Sequence, residues 1–413
     1  MAEKLKSCFI FLVIAAALIS GCKKNQDATS PGETQNGNNY SLKADSIASL
    51  SVNEIHVNLF RDGLISNFSE TEPFYMAPNG KVYLTNAGLW IGTTQNGLSY
   101  ANLNIGGFSN YTTKWDNDNQ GVYHITSEIL KKNISNWPAQ YGAPADQNGN
   151  PVLYGDEMLF SCLKGTKETS KMALSMPVEN LRIAQTVFAY KRSDLSNVLF
   201  IRYELKNTGA RDLNEIYAGF YSDADITGER NEIGYDAEKG LTFTYLNPNG
   251  PIPIPPKIIT NCITGNIFLE TPYNDNRFPF SVTGHRFIQR DYGGDGSQFG
   301  ELSLNEPSHV LNVLKALGND GSSMIDPITK SSSSFAFTGN PVTREGWLDY
   351  SYDTRNMICT GPFSLKAMEI KTITVAIITV GEMKLETSFA KLKSQVDLIR
   401  NERSLWSFPV SEQ

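Results

Sequence analysis

A period-two alternation of apolar side chains is the feature that most constrains how this chain can fold. Leu199, Ile201 and Tyr203 point to one side of an extended segment, whereas Arg202 and Glu204 point to the other. Successive side chains of a strand lie on opposite faces, so this spacing predicts a half-buried β-strand.

The neighbouring sequence extends this strand into a sheet. Residues 185–190 form a second strand-like run, and the largely polar residues 193–197 supply the turn that would join the two runs in a hairpin. Residues 370–380 are β-branched on both faces, which is typical of a central strand covered on both sides. Further strands are predicted at 52–60, 81–84, 89–92 and 121–125.

One segment has the periodicity of a helix. Leu385, Phe389, Leu392, Val396 and Ile399 recur at spacings of three and four residues, with charged and amide side chains between them. We therefore predict a mostly β fold, in which antiparallel β-sandwich-like sheets are followed by a C-terminal amphipathic helix.

The N-terminus has the layout of an export signal. Lys4 and Lys6 precede an apolar run over residues 8–19, which is shorter than the roughly 20 residues needed to span a bilayer. The string Leu18-Ile19-Ser20-Gly21-Cys22 resembles the bacterial lipobox. This resemblance implies that residues 1–21 are a lipoprotein signal peptide and that Cys22 is lipidated. A simple secretory signal, with Cys22 incidental, is the alternative.

The segment after Cys22 predicts a tether and a large body. Residues 22–45 begin with a stretch poor in apolar residues, which is typical of a flexible linker. Residues 46–413 are long enough for a β-rich body of one or two packed units, about 46–180 and 181–413, because single cores usually stop growing near roughly 250–300 residues. Lys23 and Lys24 stand where inner-membrane lipoproteins carry Asp, which favours the outer membrane and leaves the periplasmic or surface-facing leaflet open.

Charge and cysteine content exclude some classes of protein. The formal net charge is −7 and the basic residues form no cluster, so no nucleic-acid partner is expected. Outside the N-terminal segment the cysteines are Cys162, Cys262 and Cys359. These residues allow either one disulfide with a spare thiol or three thiols.

Several short motifs occur in an order that resembles a known group of proteins. They are the segments 87–92, 137–144, 184–190 and 218–225, followed by the apolar strand and the closing helix. They resemble secreted β-rich surface proteins of Bacteroidota and neighbouring phyla, which usually carry a C-terminal sorting domain for type nine secretion. Here a lipobox is present and Gln413 follows soon after the helix, so we expect lipid anchoring to replace that domain. The resemblance implies a location and a type of fold, and it implies no reaction.

An acidic cluster follows the predicted strand at residue 221. It contains Asp223, Asp225, Glu229, Glu232 and Asp236. Calcium prefers six to eight oxygen ligands, and two Asp residues at positions i and i+2 can aim both carboxylates at one point. Asp223, Asp225 and Asp236 are therefore candidate ligands for a structural Ca²⁺, with a solvated acidic turn as the alternative. We expect no other cofactor.

Tryptophans beside Gly, Asn and Asp are candidates for a ligand-binding surface. Trp90, Trp137 and Trp347 have this context. Flat rings stack on sugars and contribute strongly to protein interfaces, but they also fill the cores of β-sandwiches.

Catalytic motifs are missing from the sequence. The four histidines are isolated, without a paired metal-binding motif, and no nucleophile elbow occurs. We therefore predict a non-catalytic, lipid-anchored cell-envelope protein that acts in binding, adhesion or assembly. Its partners would be the membrane, through the lipid, and glycans or other envelope proteins. The alternative is a glycan-handling enzyme or carbohydrate-binding lipoprotein of the outer membrane.

Overall fold

The computed structural model describes residues 39–66, 82–103, 115–165, 177–226, 231–246, 261–289, 298–300, 304, 306–351 and 354–410. These residues belong to one compact unit, Asn36–Gln413. The predicted signal peptide, Cys22 and most of the predicted tether lie outside the described residues. The last part of that tether is ordered, because Asn39–Tyr40 forms a strand and Leu42 is buried.

The described residues form strands along most of the chain. In chain order these are β1 (Asn39–Tyr40), β2 (Ile47–Leu50), β3 (Val57–Phe60), β4 (Ile65–Ser66), β5 (Val82–Gln95), β6 (Leu98–Asn102), β7 (Trp115–Asn117), β8 (Tyr123–Thr126), β9 (Asn133–Ile134), β10 (Glu157–Gly165), β11 (Leu181–Ala189), β12 (Val198–Asn207), β13 (Leu213–Ile226), β14 (Asn231–Asp236), β15 (Leu241–Leu246), β16 (Asn261–Glu270), β17 (Gly284–Gln289), β18 (Met324–Ile325), β19 (Ser332–Ser333), β20 (Thr354–Leu365) and β21 (Ile370–Glu382).

Three α-helices accompany these strands in the described residues. They are α1 (Ser127–Leu130), α2 (Pro307–Leu314) and α3 (Leu385–Asn401). The periodicity near the C-terminus correctly predicted α3, whose Phe389, Leu392, Val396 and Ile399 are buried. None of the described helices is both long and apolar enough to cross a bilayer.

Two large antiparallel sheets form the body. Over the described residues, sheet I has nine strands in the order β14-β15-β16-β21-β12-β11-β10-β7, with β8 also paired to β10. Sheet II has eight, in the order β17-β20-β13-β5-β4-β3-β2, with β6 paired to β5. The predicted hairpin is confirmed as the β11–β12 pair, and the β-branched run is the central strand β21.

The two sheets pack face to face over an apolar core. Leu159, Ile201 and Val375 of sheet I belong to the same buried cluster as Leu89 and Phe220 of sheet II. Each such side chain contributes about 1.5–3 kcal/mol when it is removed from water. The prediction of a mostly β, sandwich-like fold with a C-terminal helix is therefore confirmed.

Further layers cover the outer face of each sheet. Helix α3 packs on β16 and β21 of sheet I, and α2 packs on β5, β6 and β13 of sheet II. Strand β12 is also buried on both faces: Arg202 and Glu204 are 1% and 6% exposed. Arg202 donates to the carbonyl of Phe408, so the C-terminal segment covers the face that the alternation had predicted to be open to solvent.

Strands from either side of residue 180 share both sheets. Sheet I combines β10 with β11 and β12, and sheet II combines β5 with β13. The division into units of about 46–180 and 181–413 therefore does not separate the strands. Neither segment could complete either sheet alone, because the core strands of each segment pair with strands of the other.

Candidate functional site

A cleft lies on the outer face of sheet I, between α3 and the loop 338–344. Its volume is about 560 Å³, within the roughly 300–1,000 Å³ that is usual for ligand pockets. Glu386, Ala390 and Lys393 form one wall, because spacings of four and three residues place them on one face of α3. The floor consists of Asp236 at the end of β14, Phe243 of β15 and Phe389 of α3, and the opposite wall consists of residues 338–343.

The floor combines aromatic rings with an ion pair. The Phe243 and Phe389 rings meet edge to face, with centroids 4.8 Å apart. Beside them Lys393 Nζ lies 2.6 Å from Asp236 Oδ2, and the backbone N–H of Lys239 donates to Asp236 Oδ1 at 3.0 Å. A ligand in the cleft would therefore meet an apolar surface next to one carboxylate and one ammonium group.

The loop that forms the opposite wall is fixed to the sheet by its backbone. The N–H of Tyr235 in β14 donates to the carbonyl of Phe337 at 3.0 Å, which extends the edge of sheet I. The N–H of Gly339 donates to the carbonyl of Trp347 at 2.8 Å, which closes the base of the loop. These bonds define the width of the cleft without any contribution from a ligand.

Arg344 fixes the far end of the loop. Its two terminal nitrogens lie 2.5 and 3.2 Å from the carboxylate oxygens of Glu232, which is fully buried, and Nη1 also donates to the Tyr245 hydroxyl at 2.8 Å. Tyr245 in turn donates to Glu232, and burial together with the nearby Glu232 carboxylate raises the pKa of this tyrosine. A bidentate pair of this kind is among the stronger polar contacts in proteins. The backbone of Arg344 has a φ of +60° where its side chain forms this pair, a conformation that non-glycine residues rarely adopt.

The structure does not bring the predicted calcium ligands together. Asp223 faces Arg355 at 3.4 Å on sheet II, and Asp225 accepts from Thr85 at 2.8 Å on the same sheet. Asp236 lies in the cleft on sheet I, because β13 and β14 belong to different sheets. No group of three His, Cys, Asp or Glu side chains among the described residues could hold a metal ion. Glu229 lies outside those residues.

The three predicted ligand-binding tryptophans have different environments. Trp90 is fully buried beneath α2 and stacks on Tyr221 with centroids 5.2 Å apart, so it serves the core instead of a binding surface. Trp347 is half-buried and packs edge-on against Phe337 beside the loop of the cleft. Trp137 lines a second, smaller cavity near β8.

Histidine and cysteine contacts became visible only in the structure. His124 is not isolated, because its Nε2 lies 2.7 Å from Glu157 Oε1 on the adjacent strand. Cys162, Cys262 and Cys359 are buried and form no disulfide. Burial raises the pKa of both Cys162 and Cys359 to about 12, so these thiols stay protonated and unreactive.

The residues of the cleft were largely missed by sequence reasoning. Only Asp236 was singled out, and for a different role. Phe389 is one of the apolar residues with helical periodicity and Lys393 lies between them, but nothing in that pattern indicates that α3 borders a cleft. Arg344 gave no signal, because its partner Glu232 is 112 residues away in sequence.

Comparisons with known proteins add no family. No family model and no curated protein matches the sequence. The Slr1438 protein of Synechocystis sp. PCC 6803 is similar with a TM-score of 0.26 and 8% identity, over 82% of this chain and 97% of that one. A copper-containing benzylamine oxidase from Hansenula polymorpha is similar with a TM-score of 0.33 and 8% identity, over 86% of this chain and 63% of that one. Similarity at this level supports no inference about function.

Proposed function

We propose that this protein is a non-catalytic, lipid-anchored protein of the bacterial outer membrane that binds a ligand in the cleft between α3 and the loop 338–344. The cleft carries the proposal, because its walls are held in place by the buried network of Arg344, Glu232 and Tyr245. A site that is already formed loses little conformational freedom when a ligand binds. The resemblance to secreted surface proteins of Bacteroidota is consistent with such a role.

The chemistry of the cleft favours a ligand with an apolar part and a polar or charged end. Phe243 and Phe389 would contact the apolar part. Asp236 and Lys393 already neutralise each other. A ligand group that displaces one of them from this ion pair must therefore carry the same charge as the side chain that it replaces. A short peptide with an apolar side chain meets both conditions.

Binding in the cleft can be tested with two matched tryptophan variants. Ala390 and Ser394 are both exposed on α3, but only Ala390 lines the cleft. We expect Ala390→Trp to fill the cleft and abolish binding of peptides found by saturation-transfer NMR with the full-length wild-type protein, and Ser394→Trp to leave binding unchanged. Equal binding by both variants would rule out the cleft as the site.

The proposed anchor has its own control in the sequence. Cys8 and Cys22 both lie in the N-terminal segment, and only Cys22 follows the lipobox-like string. We expect Cys22→Ala to move the protein from the membrane fraction to the soluble fraction and to prevent labelling by an alkyne-tagged palmitate, whereas Cys8→Ala changes neither. Membrane retention of the unlabelled Cys22→Ala protein would contradict the proposal.

A further inference from the structure

A second cavity of about 290 Å³ lies where the N-terminal part of the body meets β8. We call it the amide hollow. Aromatic and amide side chains provide most of its lining, and none of the described residues that line it carries a charge: Tyr123, Trp137, Tyr141, Gln120, Asn136 and Gln140. It is separate from the cleft, with which it shares no lining residue.

The walls of the amide hollow are fixed by hydrogen bonds and a cation–π contact. Trp137 donates its indole N–H to the carbonyl of Pro144 at 2.8 Å. Asn136 exchanges two hydrogen bonds with the backbone of Leu42, at 2.7 and 2.8 Å. Arg182 lies over the Tyr141 ring, 5.4 Å from its centroid. The hollow is therefore present before any ligand arrives.

Two amides at its rim are available to a ligand. Gln120 and Gln140 are exposed, and within the described part of the chain neither side chain forms a hydrogen bond. Each amide offers two donor hydrogens and an acceptor oxygen. Burial and the neighbouring Tyr141 raise the pKa of Tyr123, so its hydroxyl also stays neutral and can donate or accept.

We propose that the amide hollow binds one or two rings of a neutral saccharide. Sugar hydroxyls are both donors and acceptors, and the rim amides match them. The C–H face of a sugar ring would pack on Tyr141, which is half-buried, whereas Tyr123 and Trp137 are buried beneath the surface of the hollow. A charged ligand would be desolvated there without an opposite charge, which is costly. The proposal does not rest on the function proposed for the cleft.

The test uses the full-length protein, with Leu42 and β1 in place, and maltotriose, cellotriose and laminaritriose as probes in saturation-transfer NMR and titration. We expect the wild-type protein to bind at least one of them. We expect the double variant Gln120→Leu/Gln140→Leu to bind it about tenfold more weakly, since each amide contributes about one hydrogen bond. Gln147→Leu is the matched control, because Gln147 is exposed in a turn outside the hollow.

Three outcomes would overturn the proposal. The wild-type protein could bind none of the three saccharides at millimolar concentration. The double variant, shown to be folded by circular dichroism, could bind as tightly as the Gln147→Leu control. Binding could also be lost in Ala390→Trp and retained in the double variant, which would assign the saccharide to the cleft.

Discussion

Two ladders of side chains on the same face of sheet I differ sharply in polarity. Val187, Ile201 and Val375 lie side by side on β11, β12 and β21, and all three belong to the apolar core between the sheets. Thr244, Thr264 and Thr379 lie side by side on β15, β16 and β21. All three threonines are at most 1% exposed. The two ladders share β21, so one strand passes from an apolar half of the sandwich to a polar half.

The polar half is held by cross-sheet hydrogen bonds. Asn356 of sheet II accepts from the Thr242 hydroxyl at 2.6 Å and donates to Thr244 Oγ1 at 2.6 Å, and His285 Nε2 lies 3.0 Å from Asn356 Oδ1. Thr242 and Thr244 flank Phe243, which forms the floor of the cleft on the opposite face of β15. Apolar packing tolerates small shifts, whereas these bonds are satisfied in few geometries. We infer that the apolar half supplies stability and the polar half positions the cleft.

The largest expected effect comes from the apolar half. Ile201→Ala should lower the free energy of unfolding by about 2–5 kcal/mol, because it leaves a cavity in a close-packed core. Ile328→Ala is the matched control: Ile328 is 63% exposed, and its truncation should cost less than about 0.5 kcal/mol. Urea unfolding followed by circular dichroism measures both. Similar losses for the two variants would contradict the assignment of Ile201 to the core.

A somewhat smaller loss is expected in the polar half. Asn356→Leu leaves the hydroxyls of Thr242 and Thr244 without their cross-sheet partner, so we expect a loss of about 1–3 kcal/mol. This variant should also weaken ligand binding in the cleft, which Ile201→Ala should not do. If both variants affect binding equally, the division of roles between the two halves is wrong.

The pH dependence of the free energy of unfolding tests the polar half separately, because His285 contacts Asn356 there. Burial lowers the pKa of His285 below the ordinary value of 6.5, although its contacts with Asn356 and Ala336 oppose this shift. Below about pH 6.5 the unfolded chain therefore binds a proton that the folded protein excludes, and the free energy of unfolding falls by at most about 1.4 kcal/mol per pH unit. Above that pH the contribution of His285 is fully present.

The measurement is urea unfolding at about pH 7.5 and about pH 5.5. We expect the wild-type protein to lose more stability on acidification than His285→Gln does. Burial raises the pKa of Asp349 and gives the opposite trend, but Asp349 is present in both proteins and cancels. Equal acid sensitivity of the two proteins would show that burial does not lower the pKa of His285, which would contradict the prediction.

The smallest effect is expected for a hydroxyl without a partner. Within the described residues Thr379 Oγ1 is buried and has no hydrogen-bond partner, so Thr379→Val should change the free energy of unfolding by less than about 1 kcal/mol and in the stabilising direction. Thr242→Val is the control, because it deletes a hydroxyl that Asn356 uses. A loss for Thr379→Val as large as that for Thr242→Val would mean that the Thr379 hydroxyl is hydrogen-bonded in solution.

Local pattern predicted some elements and missed others for identifiable reasons. The alternation around Ile201 and the periodicity around Phe389 each depend on which residues face the core, and both predictions are confirmed. The predicted strands 81–84 and 89–92 are parts of one long strand, β5, which continues through small residues that lack a strong strand signal. Helix α2 was missed because its eight residues give the periodic pattern little more than two turns.

The amino-acid sequence by itself determined the class of fold. The period-two alternation and the helical spacing of three and four residues indicate which faces of the strands and of α3 must be removed from water. The sequence also contains the N-terminal pattern on which the proposal of lipid anchoring rests. Only the tertiary structure decided which polar residues meet. Asp236 pairs with Lys393 and Glu232 with Arg344 across more than 100 residues of chain. Such pairings follow from strand order and sheet packing, which local spacing does not encode.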